Sequence, residues 1–223
     1  MLNKEFNTWQ QDYNAKIRRW VPAYDQLIES MTNLPENFKP VDILDLGSGN
    51  GNATGALLEK YPNAHFTLVD ASEDMIVATQ ERFKSQKEIA YKEKYFQDLN
   101  FLPNSFDLVT AGLAFHHLDQ VDKQALFAQI YLWLRPGGRL SISDLFATKQ
   151  NPDYATQVIK PWEEFAKEQG TADEEWINLM EHHKEYDFPD TLEDHISWLE
   201  FVGFKGAKNT FRQGHWGNLQ VFK

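Results

Sequence analysis

A glycine-rich turn between two apolar segments constrains the fold of this chain more than any other feature. Residues 41–51 read VDILDLGSGNG, and a second strand-like segment ends at Leu68, Val69 and Asp70. An apolar strand, a glycine-rich turn and a second strand that ends in an acidic residue are the parts of a nucleotide-binding βαβ unit. Glycine lets the backbone pass close to a ligand, and Asp70 is placed to accept hydrogen bonds from ribose hydroxyls. The sequence therefore predicts a site for an adenosine-containing cofactor.

The spacing of the glycines indicates which cofactor binds. The dinucleotide fingerprint G-x-G-x-x-G/A holds a pyrophosphate at a helix N-terminus. Here Gly47, Gly49 and Gly51 alternate, and Asn52 occupies the place of the third fingerprint glycine. Asp45, which precedes the turn, would repel a pyrophosphate but suits an ammonium group. S-adenosylmethionine has an amino acid end and no phosphate, so the pattern favours it over NAD. An NAD-dependent oxidoreductase is an alternative that this spacing opposes.

The charge and composition of the chain argue against several classes of protein. Its 223 residues carry a formal net charge of −11, which argues against nucleic acid or an anionic membrane surface as a partner. The chain has no cysteine, so we expect no disulfide, thiolate metal site or cysteine nucleophile. The polar N-terminus lacks the apolar core of a signal peptide, and no segment approaches the ~20 apolar residues of a membrane span. We expect a cytoplasmic protein.

Strand and helix patterns alternate through most of the chain. Strands are predicted at residues 41–46, 65–69, 91–96, 106–111 and 139–143, with helices at 52–61, 72–84 and 122–134 between them. This alternation is typical of a doubly wound α/β sheet. A capped helix from Thr191 to Gly203 and a hairpin over 204–222 complete the sheet. We expect one domain in four parts: N-terminal helices at 1–40 interrupted by Pro22, a cofactor-binding core at 41–149, an inserted helical cap at 150–188, and the closing helix and hairpin at 189–223.

Four motifs follow one another in a characteristic order. They are D-x-G-x-G-x-G at residues 45–51, Asp70 with Ser72 and Met75, QDL at 97–99 followed by FDLV at 106–109, and LRPGG at 134–138. In these motifs, which together span residues 41–145, the chain resembles the class I S-adenosylmethionine-dependent methyltransferases. The resemblance implies a Rossmann-like sheet of seven strands, S-adenosylmethionine as the cofactor and S-adenosylhomocysteine as its product.

The resemblance also implies roles for individual residues. Asp45 and the backbone of residues 47–51 would hold the methionine end of the cofactor, and Asp98 would accept a hydrogen bond from the adenine amino group. Leu99 and Met75 would enclose the adenine ring, although Met75 also fits a core position of its helix and Asp98 a turn. The expected cofactor contacts are Arg19, which would neutralise the cofactor carboxylate, and Asp45, Gly47, Ser48, Gly49, Gly51, Asp70, Ala71, Met75, Asp98, Leu99 and Ala111.

Both ends of the chain resemble the small bacterial enzymes around carboxy-S-adenosylmethionine synthase. The similar segments are RRWVPAY at residues 18–24 and the stretch from Pro189 to the final hairpin. A carboxylated cofactor needs a basic partner from the inserted helices. No arginine occurs between Arg139 and Arg212, and Leu179 and Met180 stand where one is expected. We therefore expect the ordinary methyl donor.

The methyl acceptor is expected beyond the end of the fourth strand. Methyl transfer is an in-line displacement, for which an enzyme positions the nucleophile and removes its proton where needed. His116 and His117 follow this strand and are candidate general bases, because imidazole titrates near neutral pH; alternatively they pack and shape the pocket wall. The candidate substrate contacts are Trp20 and Tyr24 in the N-terminal helices and His182, His183 and Tyr186 in the inserted cap.

A metal ion is a further alternative for the histidines. His182 and His183, with His116 or His117 and Asp144, supply suitable ligand types, but no spacing among them is diagnostic, and we predict no metal site. We expect a methyltransferase that modifies a small molecule at oxygen, nitrogen or carbon. A tRNA- or protein-modifying methyltransferase, a carboxy-S-adenosylmethionine-type enzyme and a non-catalytic S-adenosylmethionine-binding protein stay as alternatives. The oligomeric state, a homodimer included, stays open.

Overall fold

The fold was obtained as a computed structural model, which describes residues 13–223. Our expectations for residues 1–12, including the start of the first helix and the lack of a leader segment, lie outside the described residues. The helices are α1 (Tyr13–Trp20), α2 (Tyr24–Met31), α3 (Asn52–Lys60), α4 (Glu73–Arg82), α5 (Gln120–Trp133), α6 (Lys160–Glu168), α7 (Asp173–Tyr186) and α8 (Leu192–Val202). The strands are β1 (Asp42–Leu46), β2 (His65–Asp70), β3 (Ile89–Glu93), β4 (Phe106–Gly112), β5 (Leu134–Leu145), β6 (Lys205–Gln213) and β7 (Trp216–Phe222).

All seven strands form one sheet in the order β3-β2-β1-β4-β5-β7-β6. The pairs β1–β2, β1–β4, β2–β3 and β4–β5 are parallel, whereas β7 runs antiparallel to both β5 and β6. The prediction of a doubly wound seven-stranded sheet is confirmed. The direction of winding changes between β1 and β4, and ligands of such sheets bind in the crevice at the carboxyl ends of the strands there.

Several element boundaries differ from the predicted ones. The third strand covers Ile89–Glu93, and Phe96–Asp98 forms a 3₁₀ turn where the prediction had strand. The fifth strand begins at Leu134, before the Arg-Pro-Gly-Gly segment that we expected to lie outside it. Its pairing with β4 shifts register between Phe106 and Leu108, and Gly137 has a φ of 79°. A bulge of this kind accommodates a proline, which has no N–H to donate, within a paired segment.

Local sequence signals account for the ends of several helices. Thr191 accepts a hydrogen bond from the backbone N–H of Asp194, whose side chain accepts one in return, so α8 begins with a capping box. The same helix ends at Gly203, which has a φ of 118°. Pro22 lies between α1 and α2, where the prediction placed an interruption.

Of the three hydrophobic clusters among the described residues, one forms a sheet core and another a cover. In the sheet core, residues of β1, β4 and β5 pack with Phe127 of α5 and Leu199 of α8. In the cover, the N-terminal and inserted helices share one cluster that includes Trp20, Leu27 and Trp162. This cluster also contains Leu145, the last residue of β5, and Trp216, the first of β7. The cover therefore lies at the carboxyl end of the parallel strands. No described helix has the length and apolar character that crossing a membrane requires.

Candidate functional site

The turn after β1 holds three glycines in the left-handed region. Gly47, Gly49 and Gly51 have φ angles of 68°, 52° and 80°. The N–H of Gly47 donates to the carbonyl of Val69 at 2.8 Å, and the Thr79 hydroxyl donates to the carbonyl of Gly49 at 2.6 Å. A Cβ built on Gly49 would meet no atom within 4 Å. The turn is thus held by the end of β2 and by α4, and it leaves open space at Gly49.

Asp70, at the end of β2, connects the glycine turn to the start of α4. Its Oδ2 accepts from the N–H of Gly49 at 2.8 Å, and its Oδ1 accepts from the N–H of Ser72 at 2.9 Å. Burial raises the pKa of Asp70, and the N–H groups of Ser72, Gly49 and Ala71 oppose that shift without cancelling it. A carboxylate can accept about four hydrogen bonds, so three N–H donors leave room for a further one, such as a ribose hydroxyl.

Asp45 lies behind the turn rather than in it. Its side chain is almost fully buried, and its two oxygens accept hydrogen bonds from the hydroxyls of Thr54, at 2.6 Å, and Thr110, at 2.9 Å. Burial raises the pKa of Asp45 to about 6, although the two hydroxyls lower it. Asp45 therefore ties β1 to α3 and β4, and its carboxylate faces these threonines rather than a cavity.

A cavity of about 330 Å³ opens between the glycine turn, the end of β2 and the segment after β4. This volume lies within the roughly 300–1,000 Å³ typical of small-molecule sites. We call it the glycine-turn cavity. Of the predicted cofactor contacts, Gly47, Gly49, Asp70, Ala71 and Met75 line it. Its other lining residues are Tyr13, Ser72, Lys94, Tyr95, Phe96, Gln97, Gly112, Leu113, Ala114, His117 and Leu118.

The other predicted cofactor contacts lie outside this lining. Asp98 is exposed and borders an adjoining surface cavity, which shares Ala71, Lys94 and Tyr95 with the glycine-turn cavity. Arg19 donates to Glu175 of α7 at 2.8 Å. The remaining predicted contacts belong to the packing around the cavity: Ser48 and Gly51 within the turn, and Leu99 and Ala111 in the sheet core.

A second cavity of about 70 Å³ lies between the cover and the segment after β4. We call it the histidine cavity. It shares Tyr13, Leu113 and His117 with the glycine-turn cavity, so the two spaces have a common wall. Leu113 has a φ of 54°, a conformation that a residue other than glycine adopts only when its surroundings hold it there. The other residues that line the histidine cavity are Ile17, Trp20, Val21, His116, Leu145, Trp162, Leu179, His182, Asp187 and Trp216.

His116 is fixed at the end of β5 by a buried carboxylate. Its Nδ1 lies 2.5 Å from Oδ1 of Asp144, and Oδ2 of Asp144 accepts from the backbone N–H groups of Phe115 and His116. Burial lowers the pKa of His116, but the negative charges of Asp144 and Asp187 outweigh it, and the pKa is raised. Burial raises the pKa of Asp144, and the His116 charge outweighs that effect, so the carboxylate stays ionised.

Asp187, just after α7, is surrounded by imidazoles. Its Oδ1 lies 3.1 Å from Nδ1 of His117 and 3.6 Å from Nε2 of His182, and its Oδ2 lies 2.7 Å from Nδ1 of His183. Burial raises the pKa of Asp187, but the charge of His116 and the neighbouring His117 and His183 hold it well below its usual value. Burial, followed by the charge of His116, lowers the pKa of His117, so this ring is neutral at neutral pH.

The predicted substrate contacts separate into two groups. Trp20 and His182 line the histidine cavity, whereas His183 lies behind Asp187 with its Nε2 2.9 Å from the hydroxyl of Tyr154. The hydroxyl of Tyr24 accepts a hydrogen bond from Asn52 at 2.8 Å and faces a different surface cavity. The rings of Tyr186 and His182 are tilted by 44° with their centroids 5.3 Å apart, and Tyr186 is not in the cavity lining.

Sequence reasoning missed two residues that the structure brings to these cavities. Asp187 stands four residues after His183, so an i,i+4 spacing just past a predicted helix was the available signal. Tyr13 lies in α1 and lines both cavities, but no local sequence signal marks it for that position.

Known proteins are similar to this chain, some over its central region and some over nearly its whole length. The family described as "Methyltransferase domain" matches residues 43–138. Phosphoethanolamine N-methyltransferase of Plasmodium falciparum is 35% identical over 127 residues, which make up 56% of this chain and 46% of that protein. The chain thus spans about half the length of that relative. Carboxy-S-adenosyl-L-methionine synthase of Shewanella amazonensis is 27% identical over 218 residues, or 95% of this chain and 88% of that protein.

A solved structure with the same fold contains S-adenosylmethionine, the cofactor that the sequence motifs predict. Human N-acetylserotonin methyltransferase, in complex with S-adenosylmethionine, superposes with a TM-score of 0.62 at 16% identity and covers 89% of this chain and 51% of its own. At this identity the likeness concerns the fold.

Proposed function

The chain belongs to the class I S-adenosylmethionine-dependent methyltransferases, and we propose that it transfers the methyl group to a small molecule held in the histidine cavity. The observation that carries this proposal is the common wall of the two cavities, formed by Tyr13, Leu113 and His117. An in-line displacement needs the nucleophile on the far side of the methyl carbon from the sulfur. Two adjoining spaces, one for the cofactor and one for the acceptor, meet that need.

The glycine-turn cavity fits S-adenosylmethionine in its chemistry. Bound there, the cofactor supplies an electrophilic methyl group on a sulfonium. Asp70 would accept its ribose hydroxyls, and Gly49 provides the close backbone approach that a Cβ would fill. Met75 would contact the adenine ring, with Asp98 at the adjoining surface cavity near the adenine amino group. The glycine turn, with Asp45 behind it, would hold the methionine end.

We assign activation of the acceptor to the two histidines after β4, with His117 as the proton acceptor and His116, whose pKa is raised, as a charged group beside it. Both line the histidine cavity, and His117 also lines the glycine-turn cavity. A lowered pKa leaves the His117 ring neutral, the form that can take a proton or hold a polar group of the acceptor. Trp20 and Trp162 enclose the same space with apolar surface, which excludes water from the transfer. A cavity of about 70 Å³ supports a small acceptor rather than a nucleic acid or protein, and the net charge of −11 agrees with this.

Calorimetric titration with S-adenosylmethionine, S-adenosylhomocysteine and NAD tests the cofactor assignment. We expect saturable binding of the two sulfur ligands and none of NAD. Asp70→Asn should weaken both sulfur ligands about 10- to 100-fold, because it removes a charged acceptor from the ribose hydroxyls. Glu73→Gln, an exposed carboxylate three residues further on, is the matched control and should bind as the wild type does. Equal affinities for the two variants would contradict the role of Asp70.

A screen of small acceptors, read out by mass spectrometry, tests the transfer itself. Phosphoethanolamine belongs in the screen because a protein named for its N-methylation is 35% identical over part of this chain. Replacement of His116 and His117 one at a time should slow turnover without weakening cofactor binding. Tight cofactor binding with no product from any acceptor would favour the alternative of a non-catalytic binding protein.

Synthesis of carboxy-S-adenosylmethionine is the second candidate, since a synthase of that compound is similar along 95% of the chain. Against it, the described lining of the histidine cavity contains no arginine or lysine, and Leu179 stands there. A cofactor carboxylate would need a cationic partner near the transferred carbon. Incubation of the protein with S-adenosylmethionine and a panel of small carboxylic acids distinguishes the two candidates, because only the second one changes the mass of the cofactor to that of its carboxylated form.

A further inference from the structure

At one end of the histidine cavity, three imidazole nitrogens converge on a single carboxylate oxygen. Oδ1 of Asp187 lies 3.1 Å from Nδ1 of His117, 3.6 Å from Nε2 of His182 and 3.9 Å from Nε2 of His116. Ligand atoms of one tetrahedral zinc ion, each about 2.0–2.1 Å from it, stand roughly 3.4 Å apart. One ligand atom from each of His116, His117 and Asp187 lies within 4.8 Å of the others. These three side chains are therefore spaced as ligands of one ion, and Nε2 of His182, 3.6 Å from Oδ1 of Asp187, is the candidate for a fourth ligand.

The two oxygens of Asp187 differ in their hydrogen bonding. Oδ1 of Asp187 is buried and accepts no hydrogen bond of acceptable geometry, although imidazole nitrogens surround it. Its other oxygen, Oδ2, lies 2.7 Å from Nδ1 of His183. A buried carboxylate oxygen without a well-aligned donor is costly, and a bound cation would offset that cost.

A second layer of contacts orients the converging groups. Asp144 engages Nδ1 of His116, which turns Nε2 of that ring toward Asp187. His183 engages Oδ2 of Asp187 and is itself engaged by the hydroxyl of Tyr154 at 2.9 Å. Metal-binding histidines commonly have their second ring nitrogen on a carboxylate, and ligating carboxylates are hydrogen-bonded in turn.

We propose that His116, His117, His182 and Asp187 bind one divalent transition-metal ion. Three imidazoles and one carboxylate favour zinc, cobalt, nickel or ferrous iron over magnesium or calcium, which prefer oxygen ligands. The chain has no cysteine, so a thiolate site is excluded. Four protein ligands fill a tetrahedron, so a position for water or substrate requires a fifth coordination site, to which a zinc ion can expand. Since all four ligands line the histidine cavity, the open position faces the space assigned to the acceptor.

The role of the ion deepens the proposed function and rests on it. An oxygen of the acceptor bound to the ion loses its proton more readily, because a metal ion stabilises the negative charge that forms. His116 and His117 would then activate the acceptor through the ion rather than as free bases. The acceptor would be a molecule with an oxygen donor, such as an enol, phenol or hydroxy acid, rather than a simple amine.

Direct titration with Co²⁺ tests the site without any cofactor or acceptor. Protein stripped with a chelator is titrated with Co²⁺ and followed by the visible d–d bands of the ion. We expect saturation at one equivalent, displacement by Zn²⁺ and no displacement by Mg²⁺. An acetohydroxamate addition should then shift the bands, because this bidentate oxygen ligand occupies an open coordination position.

Two variants test the ligands, and a third serves as the control. His182→Ala and Asp187→Asn should each weaken Co²⁺ binding by about 100-fold or more. His65→Ala is the matched control, because His65 forms a surface pair with Asp42 at 3.1 Å, away from the cluster. It should bind Co²⁺ as the wild type does. Binding of S-adenosylhomocysteine by each variant shows that the sheet and the glycine turn are intact.

Absence of saturable Co²⁺ and Zn²⁺ binding by the wild type would overturn the metal site. Unchanged affinity in His182→Ala and Asp187→Asn would overturn it as well, because the ion would then lie elsewhere. Bands that do not respond to acetohydroxamate would overturn the open position and with it the role in acceptor binding. Failure of the methyltransferase proposal has a separate signature, since it concerns S-adenosylmethionine binding and product formation, neither of which enters the titration.

Discussion

At the scale of single residues, Asp45 shows how a motif residue can act without touching the ligand cavity. Its carboxylate is buried between Thr54 and Thr110 and holds three elements together at the carboxyl end of β1. Burial raises its pKa to about 6, above the ordinary value of 3.8. Burial removes the solvation that bulk water gives an ionised carboxylate, and the two hydroxyl donors offset only part of that loss.

The raised pKa makes the stability contributed by Asp45 depend on pH. Between about pH 4 and pH 6 the folded protein binds more protons at this group than the unfolded chain, so the free energy of unfolding falls as the pH rises. The expected decrease is about 3 kcal/mol, from a pKa change between 3.8 and about 6. Asp45→Asn removes this titration. Its free energy of unfolding relative to the wild type should therefore rise through the same pH interval, as measured by urea unfolding without cofactor at several pH values.

Asp107 offers a control of opposite sign. Burial raises its pKa, but the N–H groups of Asp42 and Val41 and the charge of Arg135 outweigh that effect, and the pKa is lowered. This carboxylate is ionised in both states above about pH 5, so Asp107→Asn should differ from the wild type by a constant amount there. A constant difference for Asp45→Asn would show that Asp45 does not titrate in this interval.

At the scale of elements, two glycines of the same turn are required for different reasons, one for packing of the fold and one for ligand binding. A Cβ on Gly51 would stand 2.5 Å from Phe83, whereas a Cβ on Gly49 would stand in open space beside the glycine-turn cavity. Both residues have positive φ, which costs a side chain about 1–2 kcal/mol. The alternating glycines therefore serve both packing and ligand binding, and only the positions of the neighbouring atoms show which glycine serves which.

Alanine substitutions should separate these purposes. Gly51→Ala adds a clash with Phe83 to the backbone strain and should lower the free energy of unfolding by about 2–4 kcal/mol. Gly49→Ala should lower it by only about 1 kcal/mol but weaken S-adenosylhomocysteine binding about 10-fold or more, because its methyl group enters ligand space. Urea unfolding and calorimetry measure the two quantities.

Gly170, in the turn after α6, is the matched control for strain alone. It has a φ of 86° and no atom within 4 Å of an added Cβ, and it lies outside the glycine-turn cavity. Gly170→Ala should lose about 1 kcal/mol of stability and keep its affinity for S-adenosylhomocysteine. If Gly49→Ala behaves in the same way, Gly49 does not border the cofactor.

At the scale of the whole molecule, the N-terminal and inserted helices act as one cover over the sheet edge. Glu175 of α7 accepts hydrogen bonds from Arg19 at 2.8 Å and from the indole of Trp20 at 3.1 Å. The indole of Trp162 in α6 donates to the backbone carbonyl of Trp20. Through α1 these contacts also position Tyr13, which lines both cavities.

Loss of the Glu175 contacts should release α1 locally. Glu175→Ala is expected to speed tryptic cleavage after Arg18 or Arg19 about fivefold, equivalent to about 1 kcal/mol of local stability, because cleavage requires this helix to open. Urea unfolding of the whole chain should change little. Glu174→Ala, a neighbouring exposed carboxylate, is the control. Equal cleavage rates for the two variants would mean that Glu175 does not hold the cover closed.

The parallel sheet and its closing hairpin were predictable because their signals are local. Apolar runs, glycine turns and caps lie within a few residues of one another, as the capping box at Thr191 and the interruption at Pro22 illustrate. Predictions failed at β3 and β5, where pairing with a neighbouring strand decides the boundary. The role of Arg19 was also predicted from local sequence, and the structure pairs it with a residue 156 positions away.

The sequence by itself determined the alternation of strands and helices, the glycine turn and the place of Asp70 at the end of β2, because these depend on short-range backbone preferences. Only the tertiary structure decided that His116, His117, His182 and Asp187 meet in one cavity. Two of these histidines follow β4, while the other two residues belong to the inserted segment at the end of α7. Their convergence depends on how the cover packs against the sheet through long-range hydrophobic contacts, which no local pattern records.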